Sequence, residues 1–370
     1  MATAALRAAV AWSRRKSEPR AWREVARMTG VIMQAYPPGC GPSTPAELVA
    51  LLRRPLGELL PGTRKASALD AVVLLDPEDA LSDDAMEIVC DYTQALFDSE
   101  DPATAWLPRW AWQRAEQIEQ ELFQTLIQAG DAAVYTASRR FLIEHPAGDT
   151  RELAEARGRS GARQVARYIE IPPDRVFRFA PGADGQCWWS CPVCKWPMQV
   201  RGRRVECTYR PHTARFLVGD TGVGSLTAPS LVKVSATRLR LLESHPVVSA
   251  VCVDPAVWRF VVVPGVPELD LERLLHSHIP EVGVALYPIK DTFDLLVTAP
   301  DGRTWSVDVK DHADPQRVID DPPSADHVVV PTYRKGQLHQ LKRALSGKSV
   351  WTIRQFLNEV SDHVARGGSA

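Results

Sequence analysis

Nowhere among the 370 residues is there a run of 18 or more apolar side chains, so the sequence contains no membrane-spanning helix. The most apolar stretch, residues 247–266, is broken by Asp254, Pro255, Arg259 and Pro264. A surplus of charge is also missing. The 44 Lys and Arg residues against 45 Asp and Glu leave a net charge of −1, so bulk charge points to no class of partner and local charge has to carry that argument. No internal repeat is visible. Residues 1–15 are Ala-rich but have no charged region ahead of the apolar part and no clear cleavage site. They read as an amphipathic helix rather than a secretory signal, and a cytoplasmic location is expected.

The composition, 45% hydrophobic and 24% charged, is that of an ordinary globular chain long enough for two or three domains. Residues 1–147 read as a helical domain. Apolar residues recur at three- and four-residue spacing from Ala85 to Leu96, and again from Ile118 through Leu122 and Leu126 to Val134. Breaks fall at residues 36–42 and at Asp101-Pro102. Trp12, Trp22, Trp106, Trp110 and Trp112 are read as helix-packing residues. Residues 148–182 have the outline of a helix-turn-helix or winged element. Asp149 or Thr150 caps a first helix through Glu155, Gly158 breaks it, and a second helix from Ser160 to Ile169 carries Arg163 and Arg167. Val176 to Phe179 then alternates like a wing strand. Such an element either reads DNA or bridges two domains.

Four of the seven cysteines fall within 21 residues. In a large cytosolic chain such clustering favours a metal over disulfides. The pattern Cys191-x2-Cys194-x12-Cys207-x4-His212 gives a tight two-thiolate turn, with a second ligand pair about a dozen residues on, which is the spacing of structural Zn²⁺. Residues 199–206 read as a β-hairpin turning near Gly202, so residues 183–220 are expected to form a zinc ribbon. Cys187 competes with His212 as fourth ligand. Lys195, Arg201, Arg203, Arg204, Arg210 and Arg215 make the ribbon locally basic. That suits contact with DNA, in particular through Arg203, Arg204 and Arg210, but also suits docking to another protein.

Residues 221–370 are expected to be α/β. Residues 230–245 read as helical. Strands are expected over 247–253, 259–263, 282–287, 292–297, 304–309 and 327–330, and helices over 269–277, 335–345 and 353–364. Pro300-Asp301-Gly302 marks a turn between two apolar runs. A hairpin centred there sets Asp294 opposite Asp308, and Lys310 points to the same face as Asp308. Two carboxylates can share a Mg²⁺ (or Mn²⁺) ion, with Val309 assigned to the same ion. A neighbouring lysine can orient or deprotonate water and offset developing charge, so the set suits phosphodiester hydrolysis. Glu272 on the preceding helix is the best candidate for a further acid, and Glu268 is the runner-up. The following segment is basic, with Arg334, Lys335, Lys342, Arg343, Lys348, Arg354 and Arg366 against Glu359 and Asp362, which suits phosphate contacts.

These residues resemble the restriction-endonuclease-like superfamily, whose motif is written PD-(D/E)xK. Asp294 matches the first acid and Asp308-Val309-Lys310 the second half. The motif's proline is not adjacent, since Pro288 lies six residues earlier. The resemblance covers roughly residues 250–350. It implies a mixed sheet flanked by helices and a Mg²⁺-dependent endonuclease with Asp294, Asp308, Lys310 and Glu272 as its centre. The domain order, helical N-terminus, zinc ribbon and C-terminal nuclease, is similar to the nuclease that accompanies the prokaryotic Argonaute-related pPIWI-RE proteins and a DinG-type helicase. That implies defence against foreign DNA, with an Argonaute-related protein and a helicase as partners. The alternatives are a non-catalytic nucleic-acid-binding adaptor, and a structural subunit that docks a partner through the ribbon.

Overall fold

A computed structural model of the chain describes residues 1–16, 20–37, 39–59, 68–82, 85, 88, 131–180, 185–219, 228–233, 242–288, 292–312 and 315–367. The chain divides into two units, residues 1–117 with 312–317, and residues 118–311 with 318–370.

The first unit begins with helix α1 (Ala2–Ser13), whose Ala4, Ala5, Ala8, Ala9 and Ala11 are buried. Methyl-sized side chains on several faces let α2 (Ala21–Met33) lie close, with Val25, Met28 and Ile32 facing the same core. Thr44 caps α3 (Pro45–Leu52) by accepting from the Glu47 amide, with proline in the first turn. A short α4 (Leu56–Leu59) follows. Trp12 and Trp22 meet edge to face at 5.0 Å, the packing role expected of them. The helical periodicity read between 85 and 126, apart from Ala85 and Ile88, lies outside the described residues, as do Trp106, Trp110 and Trp112.

The second unit opens with α5 (Ala132–Glu144), capped by Asp131. Strand β1 (Ala147–Asp149) leads into α6 (Thr150–Ser160), where Asp149 accepts from the amides of Arg151 and Glu152 as expected. Gly158 does not break this helix. It is exposed, and a glycine inside a helix costs only about 1 kcal/mol. The helix instead ends at Gly161, which takes the left-handed conformation of a C-terminal cap (φ +68°). The second helix expected from Ser160 to Ile169 is absent. That segment is irregular and then forms β2 (Tyr168–Glu170), so the helix-turn-helix expectation is withdrawn. Alternation at Tyr168 and Ile169 pairs with a distant strand, which a local reading cannot see.

Strand β3 (Phe177–Arg178) is the expected alternating run, and it pairs with β4 (Gln186–Trp188). A four-stranded antiparallel sheet follows: β5 (Gln199–Arg201), β6 (Arg204–Glu206), β7 (Arg215–Val218) and β8 (Leu231–Lys233). Its first hairpin pairs Gln199 with Glu206 and turns at Gly202, where φ is +61°. The helix expected over 230–245 is replaced by β8 at its start, because Leu231 to Lys233 complete this sheet. Strand β9 (His245–Pro246) joins β4, and β10 (Ala250–Val253) lies between β1 and β2.

Residues 259–263, expected to be a strand, are helical. Trp258–Val262 form a π-helical turn that runs into α6's larger successor, α7 (Val263–His278). A four-residue apolar run such as 260–263 cannot by itself be told from buried helix. Pro264 stands in the first turn of α7, where a missing amide is tolerated, and Pro267 lies inside the helix. A five-stranded mixed sheet completes the unit, in the order β11 (Gly283–Leu286), β12 (Leu295–Thr298), β13 (Thr304–Val309), β14 (His327–Val330), β15 (Ser349–Thr352). The first two pairings are antiparallel and the last two parallel. Helices α8 (Leu338–Ala344) and α9 (Ile353–Gly367) flank it.

The cysteine segment and this mixed sheet share one hydrophobic core, in which Trp188, Trp189, Trp196 and the buried cysteines are continuous with Leu269, Leu275, Val297 and Val307. Trp196 stacks on Trp258 at 4.5 Å and joins the two parts. Helices α5 and α7 touch at Gly265, where a Cβ would fall 2.3 Å from Ile143 Cδ1 and 2.6 Å from its Cγ1. Gly265→Ala is expected to lower stability by up to about 2 kcal/mol. Overpacking against buried Ile143 costs about 1–3 kcal/mol, and the helical gain of alanine returns about 1. A urea midpoint equal to or above wild type would show that Ile143 has room to move.

Candidate active site and metal centre

The hairpin of β12 and β13 pairs Leu295 with Val307. One step beyond, Asp294 falls opposite Asp308, the register that the turn at 300–302 dictates. Both aspartates are buried. Asp294 Oδ2 accepts from the Val309 amide at 2.7 Å. Val309 therefore offers a donor on that side, and only its carbonyl is of a kind that could meet a cation. Asp308 Oδ2 is 3.4 Å from the Ala325 amide, and Lys310 Nζ lies 3.5 Å from Asp308 Oδ1. The backbone of Lys310 is fixed by its amide donating to Val329 on β14 at 2.9 Å. Burial alone would lower the Lys310 pKa. Asp294, Asp308 and Glu268 outweigh it and hold the ammonium above its ordinary 10.5. Near neutral pH the side chain is a cation among carboxylates.

Glu268 and Glu272 occupy successive turns of α7 and are both buried. They face consecutive arginines of α5. Arg139 Nη2 reaches both oxygens of Glu268 at 3.0 and 3.1 Å and stands 3.8 Å from Asp294 Oδ1. The Tyr287 hydroxyl donates to Glu268 Oε2 at 2.6 Å. One turn on, Arg140 Nη1 donates to Glu272 Oε1 at 3.0 Å. Glu268 thus shares Arg139 with Asp294 and acts on Lys310, whereas Glu272 is paired with Arg140, which also contacts Glu144.

The second centre is formed by Cys191, Cys194, Cys207 and His212. All four are buried, and their ligand atoms lie within 4.8 Å of one another. Cys194 and Cys207 sulfurs are 3.9 Å apart, and His212 Nδ1 is 3.7 Å from Cys191 and 3.4 Å from Cys207. A tetrahedral zinc ion with standard bond lengths sets S···S near ~3.8 Å and S···N near ~3.6 Å. The donor set and its spacing fit that ion. Amides support the sulfurs: Val193 N–H points to Cys191 and Tyr209 N–H to Cys207, both at 3.4 Å. Trp258 Nε1 donates to Cys194 at 3.3 Å. Lys195, at φ +58°, closes the first turn. Cys187 does not join the group; burial pushes its thiol up to about 12, and it packs in β4.

A buried network joins the two centres. Tyr209, between Cys207 and His212, donates to Asp311 Oδ2 at 2.6 Å. Asp311 follows Lys310 directly. It also accepts from the Tyr333 hydroxyl, and from Arg334 Nε at 2.9 Å. The Arg334 Nη2 group donates to the Tyr209 oxygen at 3.0 Å. The end of β13 is thereby pinned to the loop that carries two of the four metal-type ligands.

Two family models match the sequence. Residues 1–149 match the pPIWI_RE three-gene island domain Y, and residues 265–368 match the REase associating with pPIWI_RE. The chain is a pPIWI-RE-associated, restriction-endonuclease-like protein. No curated protein and no solved structure gives a significant match. The restriction-endonuclease-like match begins beside Gly265 and takes in Glu268, Glu272, Asp294, Asp308 and Lys310. The Cys–His centre falls between the two matches, and Arg139 lies within the first. Sequence reading could not find Arg139, Tyr209 or Asp311. Arg139 is 129 residues from Glu268, and nothing local marks it.

Of the basic residues that follow β14, Lys335, Lys342, Arg343, Arg354 and Arg366 are exposed. Arg334 is not part of that surface, because its guanidinium is committed to Asp311. On the four-stranded sheet Arg203 and Arg204 are exposed, Arg203 donating to the Val218 carbonyl at 2.9 Å. The side chain of Arg210 lies outside the described set. No helix among the described residues is long and apolar enough to cross a membrane.

Proposed function

We propose that this protein is a Mg²⁺-dependent endodeoxyribonuclease acting in the cytoplasm in prokaryotic defence against foreign DNA, with an Argonaute-related protein and a DinG-type helicase as partners. The observation that carries the reading is the juxtaposition of Asp294 and Asp308 on paired strands with the Lys310 ammonium beside them. In this reading Asp294 and Asp308, with the Val309 carbonyl, hold the divalent ion. When bound, that ion supplies Lewis-acid stabilisation of the phosphoryl charge and lowers the pKa of water. Lys310, kept protonated by its acidic neighbours, orients the incoming water and offsets charge on the phosphate oxygens. Glu268, which shares Arg139 with Asp294, fits the helix acid better than Glu272 does. In this reading the exposed basic residues of α8 and α9, and Arg203 and Arg204, meet DNA phosphates. Cys191, Cys194, Cys207 and His212 hold a structural Zn²⁺ with no open position for chemistry.

The test is incubation of the full chain with plasmid and with single-stranded DNA in Mg²⁺, Mn²⁺ or EDTA. Cleavage that requires the divalent ion supports the reading. One observation favours a non-catalytic adaptor, namely that Glu268 is already satisfied by Arg139 and Tyr287. Binding without cleavage under every metal condition would establish that alternative.

The link through Tyr209 adds an expectation. Tyr209→Phe should keep its zinc but lower the rate of cleavage about tenfold or more, the scale on which support residues of a metal site act. Metal content by absorption and rate on the same preparation check this together. An unchanged rate with full zinc content would make the Tyr209–Asp311 contact a matter of packing alone.

A further inference from the structure

The carboxylates of the candidate active site already share a cation, and it belongs to the chain. Arg139 Nη2 lies 3.0 and 3.1 Å from the two oxygens of Glu268 and 3.8 Å from Asp294 Oδ1. The site for this guanidinium is built. The side chain is only 11% exposed, the Tyr287 ring lies 4.1 Å from the guanidinium carbon, and the Tyr287 hydroxyl donates to Glu268 Oε2, which Arg139 also contacts. The residue comes from α5, outside the segment that matches the restriction-endonuclease-like family. The close approach of α5 and α7 at Gly265 brings it there.

The charge balance gives Arg139 a consequence. Glu268, Asp294 and Asp308 face Arg139 and Lys310. A divalent ion placed among the same carboxylates meets the repulsion of a resident guanidinium for as long as Arg139 stays. We propose that Arg139 is the resident cation of this centre. It holds Glu268 and Asp294 in place in the metal-free protein, competes with the divalent ion for them, and swings away when the ion is taken. The guanidinium is then able to meet a phosphodiester oxygen of the substrate, a planar bidentate recognition that arginine suits. This rests on the nuclease reading, and it deepens that reading by giving the acid on α7 a partner from outside the matched segment.

The experiment is a Mn²⁺ titration of the full-length protein, followed by loss of the free-ion electron paramagnetic resonance signal. Wild type, Arg139→Met, Arg139→Gln, Arg139→Lys and Asp308→Asn are compared, with melting curves for each. Thiolates prefer softer ions, so Mn²⁺ reports on the carboxylates, and Asp308→Asn is expected to abolish its uptake. Arg139→Met should bind Mn²⁺ about tenfold or more tighter than wild type, the size of effect that one adjacent charge exerts in a partly buried site. Metal-free Arg139→Met should melt lower than wild type and gain more on adding Mn²⁺. Arg139→Lys should bind much as wild type does. Arg139→Gln keeps a donor to Glu268 and removes only the charge, so it carries the test if Arg139→Met does not fold. Mn²⁺ affinity unchanged or weaker in both neutral variants, with wild-type uptake sensitive to Asp308, overturns the role of Arg139 and leaves the nuclease reading standing. No uptake by any of the proteins overturns both. Uptake by the neutral variants alone supports the competition.

Discussion

Asp308→Asn is expected to leave DNA binding near its wild-type level and to reduce cleavage by at least the 10²–10³-fold that loss of one preorganised charged partner costs. The substitution keeps the shape of a buried side chain on β13 and still offers an oxygen towards the Ala325 amide, so the fold has little reason to change. What it removes is a charge that a divalent ion and Lys310 both need. Phosphate contacts from exposed Lys and Arg side chains are untouched, and the loss should therefore appear in kcat and not in affinity. Lys310 sharpens the expectation. Its pKa is raised above 10.5, so the lysine's charge is fully present at lower pH and fades only as pH rises through the raised folded value. Between about pH 6 and 9 the lysine stays charged and should put no inflection of its own into the rate profile. A cation in that place can be another cation. Lys310→Arg should retain more cleavage than Lys310→Met, whereas a lysine acting as a neutral base would make both variants equally inactive.

Removing the metal from the Cys–His centre is expected to have the largest effect on stability. Apparent binding free energies of structural zinc, about 10–16 kcal/mol, are as large as the whole stability of a typical domain, about 5–15 kcal/mol. Cys191, Cys194 and Cys207 lie in the same core as Leu269, Val297 and Val307, so the loss should not stay local. Cys194 is the most consequential of the three, because, as fully buried as Cys191, it also accepts from Trp258, which leads into α7. A chelator such as phenanthroline, or Cys194→Ser, should lower the melting temperature of the unit that carries the five-stranded sheet and broaden its transition. Because the ligands must be deprotonated to hold a metal, release should become easier as pH falls. A metal-free preparation that melts cooperatively at the wild-type temperature would show that this core holds without the ion.

The sequence made the strand hairpin legible because a Pro-Asp-Gly turn fixes register, and register fixes which residues are opposite. The cysteine centre was legible for a similar reason, since a two-residue gap leaves thiolates little freedom. The choice between Glu268 and Glu272 was not legible. Four residues apart on a helix, they share a face, and only the arginines of α5 distinguish them. The helix-turn-helix outline fails at Tyr168 and Ile169, whose partners in β10 lie about 80 residues on. Residues 259–263 are ambiguous because a short apolar run looks the same in a strand and in a buried helix. Strand β8 has no local signal because it exists only by pairing with β7. Each error was decided by a distant partner, and each correct reading by a local constraint.

The most direct test of the account is anomalous diffraction from crystals of the full chain soaked in Mn²⁺. A peak between Asp294 and Asp308, about 2.1 Å from a carboxylate oxygen of each, is the predicted result. Anomalous density confined to the cysteine centre, with Asp294 and Asp308 as they stand here, would contradict it.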